Sequence, residues 1–173
     1  MRKFLTACLT AIAIVSLSVS SVFAVGANIR GVTFSLGSLI ADGQVTDMDP
    51  YQLSKVILKT SGPADVICRD LDGYKPDKLS HHHPVVYATG SVWIKANAHG
   101  KSSFHVVAKP PTYISVHTAG CPHGYEKAIV DFVYFTQASI TVTDKHGTAL
   151  DQENYRCETT RECVTCKKKS SHH

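Results

Sequence analysis

The amino-acid sequence predicts an all-β protein, a two-sheet antiparallel β-sandwich. Short segments alternate apolar and polar residues with a period of two, and clusters of Gly, Pro, Asp and Asn separate these segments. No window carries the apolar stripe of an amphipathic helix over three turns. Because the apolar face of one sheet needs a second layer to cover it, we expect two packed sheets, with an immunoglobulin-like Greek key favoured over a closed barrel.

Seven or eight short strands are expected along the chain. The first lies within residues 31–40, which begin with apolar side chains at every second position. The next two, 54–62 and 64–68, are separated by the turn signal Gly62-Pro63. The remaining segments are short and rich in β-branched and aromatic residues, and they lie at 85–96, 103–108, 113–116, 128–135 and 138–143.

Residues 1–24 have the pattern of a secretory signal peptide. Arg2 and Lys3 precede an apolar stretch, and Ala24 ends a segment typical of a signal peptidase site, with a cut after Ala27 as the alternative. An uncleaved membrane anchor is disfavoured because the apolar stretch is short and rich in Ser. The sequence therefore predicts a secreted, extracellular protein with no membrane span after signal cleavage.

Length and charge restrict the classes of protein that the chain can belong to. At 173 residues, a large multidomain enzyme is excluded, and 43% hydrophobic residues argue against a disordered chain. The formal net charge of +4 is too mild for a dedicated nucleic-acid binder. We expect three parts, a signal peptide at 1–24, a β-sandwich domain at 25–150 and a polar, irregular, cysteine-bearing tail at 151–173. One alternative for the tail is a surface extension held by a local disulfide.

The cysteines predict a disulfide framework, since exported proteins fold in oxidising compartments. The pair expected in the sandwich is Cys68 with Cys121. Two of the three tail cysteines, Cys157, Cys163 and Cys166, are expected to pair, which leaves one available for a disulfide-linked oligomer. The alternative for the tail is a zinc site that combines these thiolates with His172 or His173, although the spacing fits no standard zinc module.

The ten histidines raise a second metal hypothesis. His81 and His83 flank one residue in the run before Pro84 and could share a Zn or Cu ion, because alternate residues of an extended chain point to one side. A polar surface loop is the favoured alternative. Cys121-Pro122-His123 loosely resembles a blue-copper ligand loop, but no Met follows Cys121 as that site requires.

No catalytic motif is present, so we expect a protein without enzymatic activity. The sequence contains no G-x-S-x-G, no H-E-x-x-H and no phosphate-binding Gly loop. Asp65, Asp131 and Asp144 are isolated, and alternation predicts that Asp131 faces solvent or pairs with a neighbouring strand. Trp93 is expected to pack in the core; the alternative is that Trp93 and Tyr87 form an aromatic binding face, as in carbohydrate-binding sandwiches.

Two segments carry a resemblance to known proteins. GVTFSLGSLIADGQVT, from residue 31, and CPHGYEKAIVDFVYFTQASITV, from residue 121, resemble a group of uncharacterised secreted bacterial proteins with an FSLGSLIA opening, a central Cys and a similar ending. The resemblance spans residues 31–143 and is dense only at its ends. It implies export, a β-sandwich and the Cys68–Cys121 bridge, and it implies no activity. HHHP at 81–84 and the cysteine tail depart from the pattern.

These observations lead to one main hypothesis. The protein is expected to be secreted and non-enzymatic, with a binding or structural role outside the cell. Its partner would be a component of the cell surface or the extracellular space, or a second copy of the chain, and neither a nucleic acid nor a membrane span is expected. An exported Zn- or Cu-binding protein and a disulfide-linked oligomer are the alternatives.

Overall fold

The computed structural model describes residues 26–36 and 38–170, so the predicted signal peptide and its cleavage site at Ala24 lie outside the described residues. The described chain is mostly β-strand, with antiparallel pairing throughout and one short helix. Its elements in chain order are β1 Asn28–Ser35, β2 Leu39–Thr46, β3 Leu53–Arg69, β4 Lys78–Leu79, β5 Val85–Lys95, β6 Ser102–Ala108, β7 Tyr113–Ile114, α1 Val116–Ala119, β8 Lys127–Val133, β9 Gln137–Asp144, β10 Ala149–Thr159 and β11 Val164–Lys168.

Two packed sheets form the all-β sandwich that the sequence predicts. The small sheet has the order β1-β2-β6, and the large sheet has the order β11-β10-β9-β3, with β5 on the other side of β3. The end of β3 pairs with β8 and β4, and β7 pairs with β8. The immunoglobulin-like Greek key stays a prediction.

Strand β3 is the centre of the large sheet, and it differs from the expected pair of strands. It runs without a break for 17 residues through Gly62-Pro63. The carbonyl of Pro63 accepts a hydrogen bond from the Tyr134 amide at 2.8 Å, so proline keeps its place in the ladder as an acceptor. A Cβ at Gly62 would lie 1.9 Å from the Tyr134 carbonyl oxygen. The dipeptide thus permits a close approach of neighbouring backbone rather than a turn.

The hydrophobic core lies between the two sheets. Alternate residues of each strand point inward, as the period of two predicts. The fully buried side chains include Leu39 and Val106 of the small sheet and Val56, Leu58 and Ile140 of the large sheet. Burial of one such side chain contributes roughly 1.5–3 kcal/mol to stability.

The expectation of an irregular tail at 151–173 is wrong for its described part. Strands β10 and β11 form a hairpin that extends the large sheet, and β10 crosses the expected domain boundary at residue 150. Strand β10 does alternate buried and exposed residues, but its buried positions are Glu153, Tyr155 and Cys157. Because these residues are weakly hydrophobic, the alternation is not visible in a hydrophobic pattern. The hydroxyl of Tyr155 donates to the Glu153 carboxylate, which also accepts from Lys168 on β11. Polar partners therefore replace apolar contacts at this edge of the core.

Two disulfides connect parts of the sandwich. Cys68, near the end of β3, is bonded to Cys121, which follows α1, with an S–S distance of 2.03 Å. Cys157 and Cys166 occupy directly opposed positions of β10 and β11 and are also bonded. Such bonds are typical of proteins that fold in an oxidising, extracellular environment. Within the part of the chain that the structure describes, no helix has the length and apolarity needed to cross a membrane.

Candidate functional site

The large sheet exposes one face to solvent, and we call this surface the outer face. It is formed by the residues of β3, β5, β9, β10 and β11 that alternate with the buried ones. Its side chains are Leu53, Lys55, Ile57, Lys59, Ser61, Tyr87, Thr89, Ser91, Trp93, Lys95, Gln137, Ser139, Thr141, Thr143, Gln152, Asn154, Arg156, Glu158, Thr165 and Lys167, with Lys169 next to the end of β11.

The strand register arranges these side chains in rows across the sheet. One row begins at Tyr87 and passes through Ser61, Gln137 and Arg156 to Lys167. Neighbouring strands lie about 4.8 Å apart, so a row across five strands is roughly 19 Å long. Such an area is large enough to contact an extended ligand along several of its units.

Two aromatic side chains of β5 are exposed on this face. Tyr87 is 73% exposed and Trp93 is 52% exposed. The expectation that Trp93 packs in the core is therefore wrong, because the inward positions on either side of it in the strand are Val92 and Ile94. Tyr87 and Trp93 are six positions apart along one strand, which places them roughly 20 Å apart. Both are on the same side, with only Thr89 and Ser91 between them.

The outer face is also cationic. Lys55, Lys59, Lys95, Arg156, Lys167 and Lys169 are its basic residues, and Glu158 is its acidic residue among the described positions. The Nζ atom of Lys55 lies 5.6 Å from the centroid of the Trp93 ring, within cation–π distance. Arg156 stands directly opposite Lys167, so two like charges are neighbours on adjacent strands. That arrangement disfavours folding slightly unless something anionic occupies the face.

A shallow depression of about 280 Å³ lies in the outer face. Its lining includes Tyr87, Lys59 and Lys169, with the amide side chains of Gln137 and Asn154. Aromatic, ammonium and amide groups therefore converge on one concave region. Such a combination of one apolar surface and several hydrogen-bond donors is typical of ligand sites.

A second cluster lies farther along β3, around the buried carboxylate of Asp65. Its oxygens accept hydrogen bonds from the Tyr134 hydroxyl at 2.9 Å and from Arg161 at 2.8 Å, and His83 Nδ1 lies 3.3 Å away. Arg161 also contacts Asp131 at 3.1 Å, and these two carboxylates raise its pKa, with the hydrogen bond to Asp131 as the larger cause. This cluster fastens the β10–β11 turn to β3 and β8, because Arg161 of the turn contacts Asp65 of β3 and Asp131 of β8.

The sequence predicts that Asp131 faces solvent or pairs with a neighbouring strand. In the structure Asp131 is exposed and forms an ion pair with Arg161 of the β10–β11 turn. Arg161 and Asp131 also border a groove of about 630 Å³ beside Pro110 and Pro111. No local sequence pattern signals this cluster, because its partners are separated by up to 96 positions in the chain.

The metal hypothesis gains no support from the placement of the histidines. His81 and His83 are exposed in the segment between β4 and β5, and His83 contacts Asp65. Within residues 26–36 and 38–170, no group of three His, Cys, Asp or Glu side chains is placed to hold an ion. The tail site with His172 or His173 lies partly outside the described residues, and two of its three thiols form the Cys157–Cys166 disulfide.

Cys163 is the remaining tail cysteine. It is exposed in the turn between β10 and β11 and is unbonded in the described part of the chain. The Thr160 hydroxyl lies 3.5 Å from its sulfur. The thiol is therefore accessible to a second molecule.

The basic residues of the outer face were missed by the sequence reasoning. Lys55, Lys59 and Lys95 are scattered along the chain, and Arg156 and Lys167 belong to the segment expected to be irregular. The signal that could have found the latter is the alternation of β10, in which charged and amide residues occupy every second position. Their assembly into one surface requires the strand register, which the sequence does not provide.

Comparisons with protein-family models, with curated proteins and with solved structures found no match to this chain. The resemblance to a group of secreted bacterial proteins accordingly stays a prediction.

Proposed function

We propose that this protein is an extracellular, non-catalytic binding protein that holds a polysaccharide chain on its outer face. The observation that carries the proposal is the exposure of Trp93 and Tyr87 on one side of a single strand, in a surface that is mostly polar and basic. The two disulfides support the extracellular part of the proposal, and the predicted signal peptide at residues 1–24 supplies the route of export.

The chemistry of sugars explains why this surface suits them. A pyranose ring has an apolar C–H face that stacks on an aromatic ring, and hydroxyl groups around its edge that exchange hydrogen bonds. Trp and Tyr supply the large, rigid apolar surface, and the indole N–H and the phenol O–H at the ring edges can form hydrogen bonds. The Thr, Ser, Asn and Gln side chains between and beside the aromatic residues are donors and acceptors for hydroxyl groups. A strand pair such as β3 and β5 holds these groups on a rigid support.

The length of the face favours a chain over a single sugar. Tyr87 and Trp93 are roughly 20 Å apart, which one monosaccharide cannot span. A polymer that lies along β5 can contact both rings at once, and each added contact then raises the effective affinity of the other. We therefore expect affinity to rise with oligosaccharide length.

Affinity electrophoresis of the secreted protein in gels that contain individual polysaccharides tests this proposal. Trp93→Ala and Tyr87→Ala are expected to weaken the retardation roughly tenfold each, which corresponds to about 1.4 kcal/mol. Tyr74→Ala is the matched control, because Tyr74 is 89% exposed but lies in the segment between β3 and β4, away from the outer face. If all three variants migrate like the unmodified protein in every gel, the proposal is wrong.

The non-catalytic part needs its own measurement. Incubation of the protein with a retarding polysaccharide is expected to release no new reducing ends. Release that a single substitution on the outer face abolishes would instead make the protein a glycoside-cleaving enzyme.

A disulfide-linked dimer is the second candidate, favoured by the exposure of Cys163 in the β10–β11 turn. Non-reducing gels of the exported protein would show a band of twice the mass that disappears on reduction and in Cys163→Ser. A monomer under both conditions would exclude this candidate.

A further inference from the structure

We infer that the polysaccharide bound by the outer face is acidic, a chain of uronic-acid units whose carboxylates are held by the lysines of this face. This inference rests on the proposed binding role of the outer face and adds the chemical class of the ligand. It depends on three features of the described residues. These are the positive charge of the outer face, the lack of acidic partners for its cations, and the position of those cations near the aromatic rings.

The charge of the outer face is strongly one-sided. Six of its side chains are cationic and one, Glu158, is acidic, which gives a formal charge of +5. The whole chain carries only +4, so the net positive charge lies on this surface and the rest of the molecule is close to neutral. A ligand that approaches this face meets a positive potential.

These cations are not neutralised by acidic side chains in the described part of the chain. Among the described residues, none of the six takes part in an ion pair, whereas Lys168 on the inner side of β11 contacts Glu153 and Arg161 contacts Asp65 and Asp131. Arg156 and Lys167 even stand opposite each other, where like charges repel. Cations that have no acidic partner and lie side by side on a rigid sheet can bind an anionic ligand.

Each aromatic ring has a cation beside it. Lys55 lies 5.6 Å from the Trp93 ring, and Lys59 and Lys169 line the same depression as Tyr87. A sugar ring stacked on Tyr87 would have these ammonium groups beside it, and a sugar ring stacked on Trp93 would displace the Lys55 ammonium from the ring face to the edge of the sugar. A uronic acid carries its carboxylate on that edge and keeps the apolar face of the ring, so one unit satisfies both contacts.

A carboxylated polysaccharide fits better than a single-stranded nucleic acid, the other polyanion that combines charge with stacking. Nucleic-acid platforms stack successive bases on closely spaced aromatic residues. Here two aromatic residues are separated by roughly 20 Å, with Thr89 and Ser91 between them. The hydroxyl groups in that interval suit the hydroxyl groups of sugars, and the planar fork of Arg156 matches a carboxylate.

Polygalacturonate and its fully methyl-esterified form are the probes that test the inference. The two chains have the same sugar units, and esterification removes only the charge. We expect the esterified chain to bind the full-length secreted protein at least roughly tenfold more weakly, because each exposed pair contributes about 1.5- to 5-fold and several form together. Binding of polygalacturonate is expected to weaken with added salt, since salt screens exposed charges.

A charge-removing double variant tests the residues. Lys59→Gln with Lys169→Gln is expected to weaken polygalacturonate binding roughly 2- to 25-fold and to weaken binding of the ester by a smaller factor. Lys78→Gln with Lys101→Gln is the matched control, because both lysines are exposed but lie away from the outer face. Circular dichroism and urea unfolding of each variant would establish that it is folded.

The outcomes separate this inference from the proposed function. If both forms of the chain bind equally and only Trp93→Ala weakens them, polysaccharide binding holds and the acidic specificity is wrong. Binding of dextran sulfate but not polygalacturonate would exclude uronic acids, and equal binding of oligothymidylate with the same loss in the double variant would make the ligand a nucleic acid. Failure of every polysaccharide would overturn both proposals.

Discussion

The two faces of the large sheet are made by alternate residues of the same strands β3, β5, β9, β10 and β11, and they differ in almost every property. The inner face contains Val56, Leu58 and Ile140, all fully buried against the small sheet. Lys55 and Lys59 of β3 are the chain neighbours of Val56 and Leu58, and they belong to the outer face, which is open to solvent. The apolar residues of the inner face specify the fold, whereas the polar and basic residues of the outer face are free to bind a ligand. Stability and affinity should therefore respond to different substitutions.

The largest expected effect follows from a cavity on the inner face. Leu58 is fully buried at the centre of β3, and Leu58→Ala removes apolar contacts that the surrounding sheet cannot fully restore. We expect a loss of about 2–5 kcal/mol in the free energy of unfolding. Urea denaturation followed by circular dichroism measures it.

The adjacent residue provides the control for this prediction. Lys59→Ala changes the outer face at the next position of the same strand and should change stability by no more than about 0.5 kcal/mol. Equal losses in the two variants would show that the outer face is covered in the folded protein, contrary to the structure.

The hairpin disulfide is expected to have the next largest effect. Cys157 and Cys166 lie on the inner side of β10 and β11, nine positions apart. Replacing both with Ser releases a short loop in the unfolded chain, for which the chain-entropy model gives about 2.5 kcal/mol. Arg156 and Lys167 are the outer neighbours of these cysteines, so binding of polygalacturonate should weaken together with stability. Unfolding and binding of the double variant test both effects.

Cys163→Ser is the control for the hairpin variant, since this thiol is exposed and unbonded in the described residues. Its unfolding midpoint should stay within experimental error of the unmodified protein. If the control loses as much stability as the double variant, the pairing of Cys157 with Cys166 is wrong.

The inner face was largely predictable from the sequence, because the physics that forms it is local. A period-two alternation of apolar residues requires only neighbouring positions, and it located β5, β6 and β9 within a residue or two of their bounds. Apolar alternation did not predict β10, because Glu153 and Tyr155 occupy buried positions there and form a hydrogen bond with each other. A buried polar pair has no signature in a hydrophobic pattern.

The outer face was less predictable because it is assembled from non-local pairs. Trp93 was expected in the core on the strength of its apolar neighbours Val92 and Ile94, and only the strand register shows which side it faces. A shift of one residue would exchange the two faces completely. The lysines of the outer face were unpredictable for the same reason, since the distances between them depend on which strands are adjacent and in which register.

A third prediction concerns alkaline pH and the inner face. Burial, and then the hydrogen bond to Glu153, raise the pKa of the Tyr155 hydroxyl. An unfolded Tyr titrates near pH 10, so above that pH the unfolded chain loses a proton that the folded protein keeps. The stabilisation is therefore fully present below about pH 10 and decreases as the pH rises further.

Urea unfolding at a series of alkaline pH values measures this decrease. A Cys163→Ser background keeps disulfide exchange out of the experiment. Tyr155→Phe should flatten the pH dependence, whereas Tyr87→Phe should retain it because Tyr87 is exposed on the outer face. The same slope in both variants would show that another group controls the alkaline transition.

The smallest expected effect on stability is the one that most sharply separates the two faces. Arg156 and Lys167 are directly opposed on β10 and β11, and Lys167→Glu would convert their repulsion into a cross-strand ion pair. The variant should be more stable by roughly 0.2–1 kcal/mol, as judged by its urea midpoint. It should nevertheless bind polygalacturonate more weakly, because a cation of the outer face is replaced by an anion.

Thr165→Glu is the mirror control, since Thr165 stands opposite Glu158 and the new carboxylate would create a like-charge pair. It should reduce both stability and binding, whereas Lys167→Glu should move them in opposite directions. If Lys167→Glu instead leaves binding unchanged, the juxtaposed cations of the hairpin have no part in ligand recognition. A gain in stability with a loss in affinity would mean that the unmodified sheet keeps a repulsive pair because the ligand needs both charges.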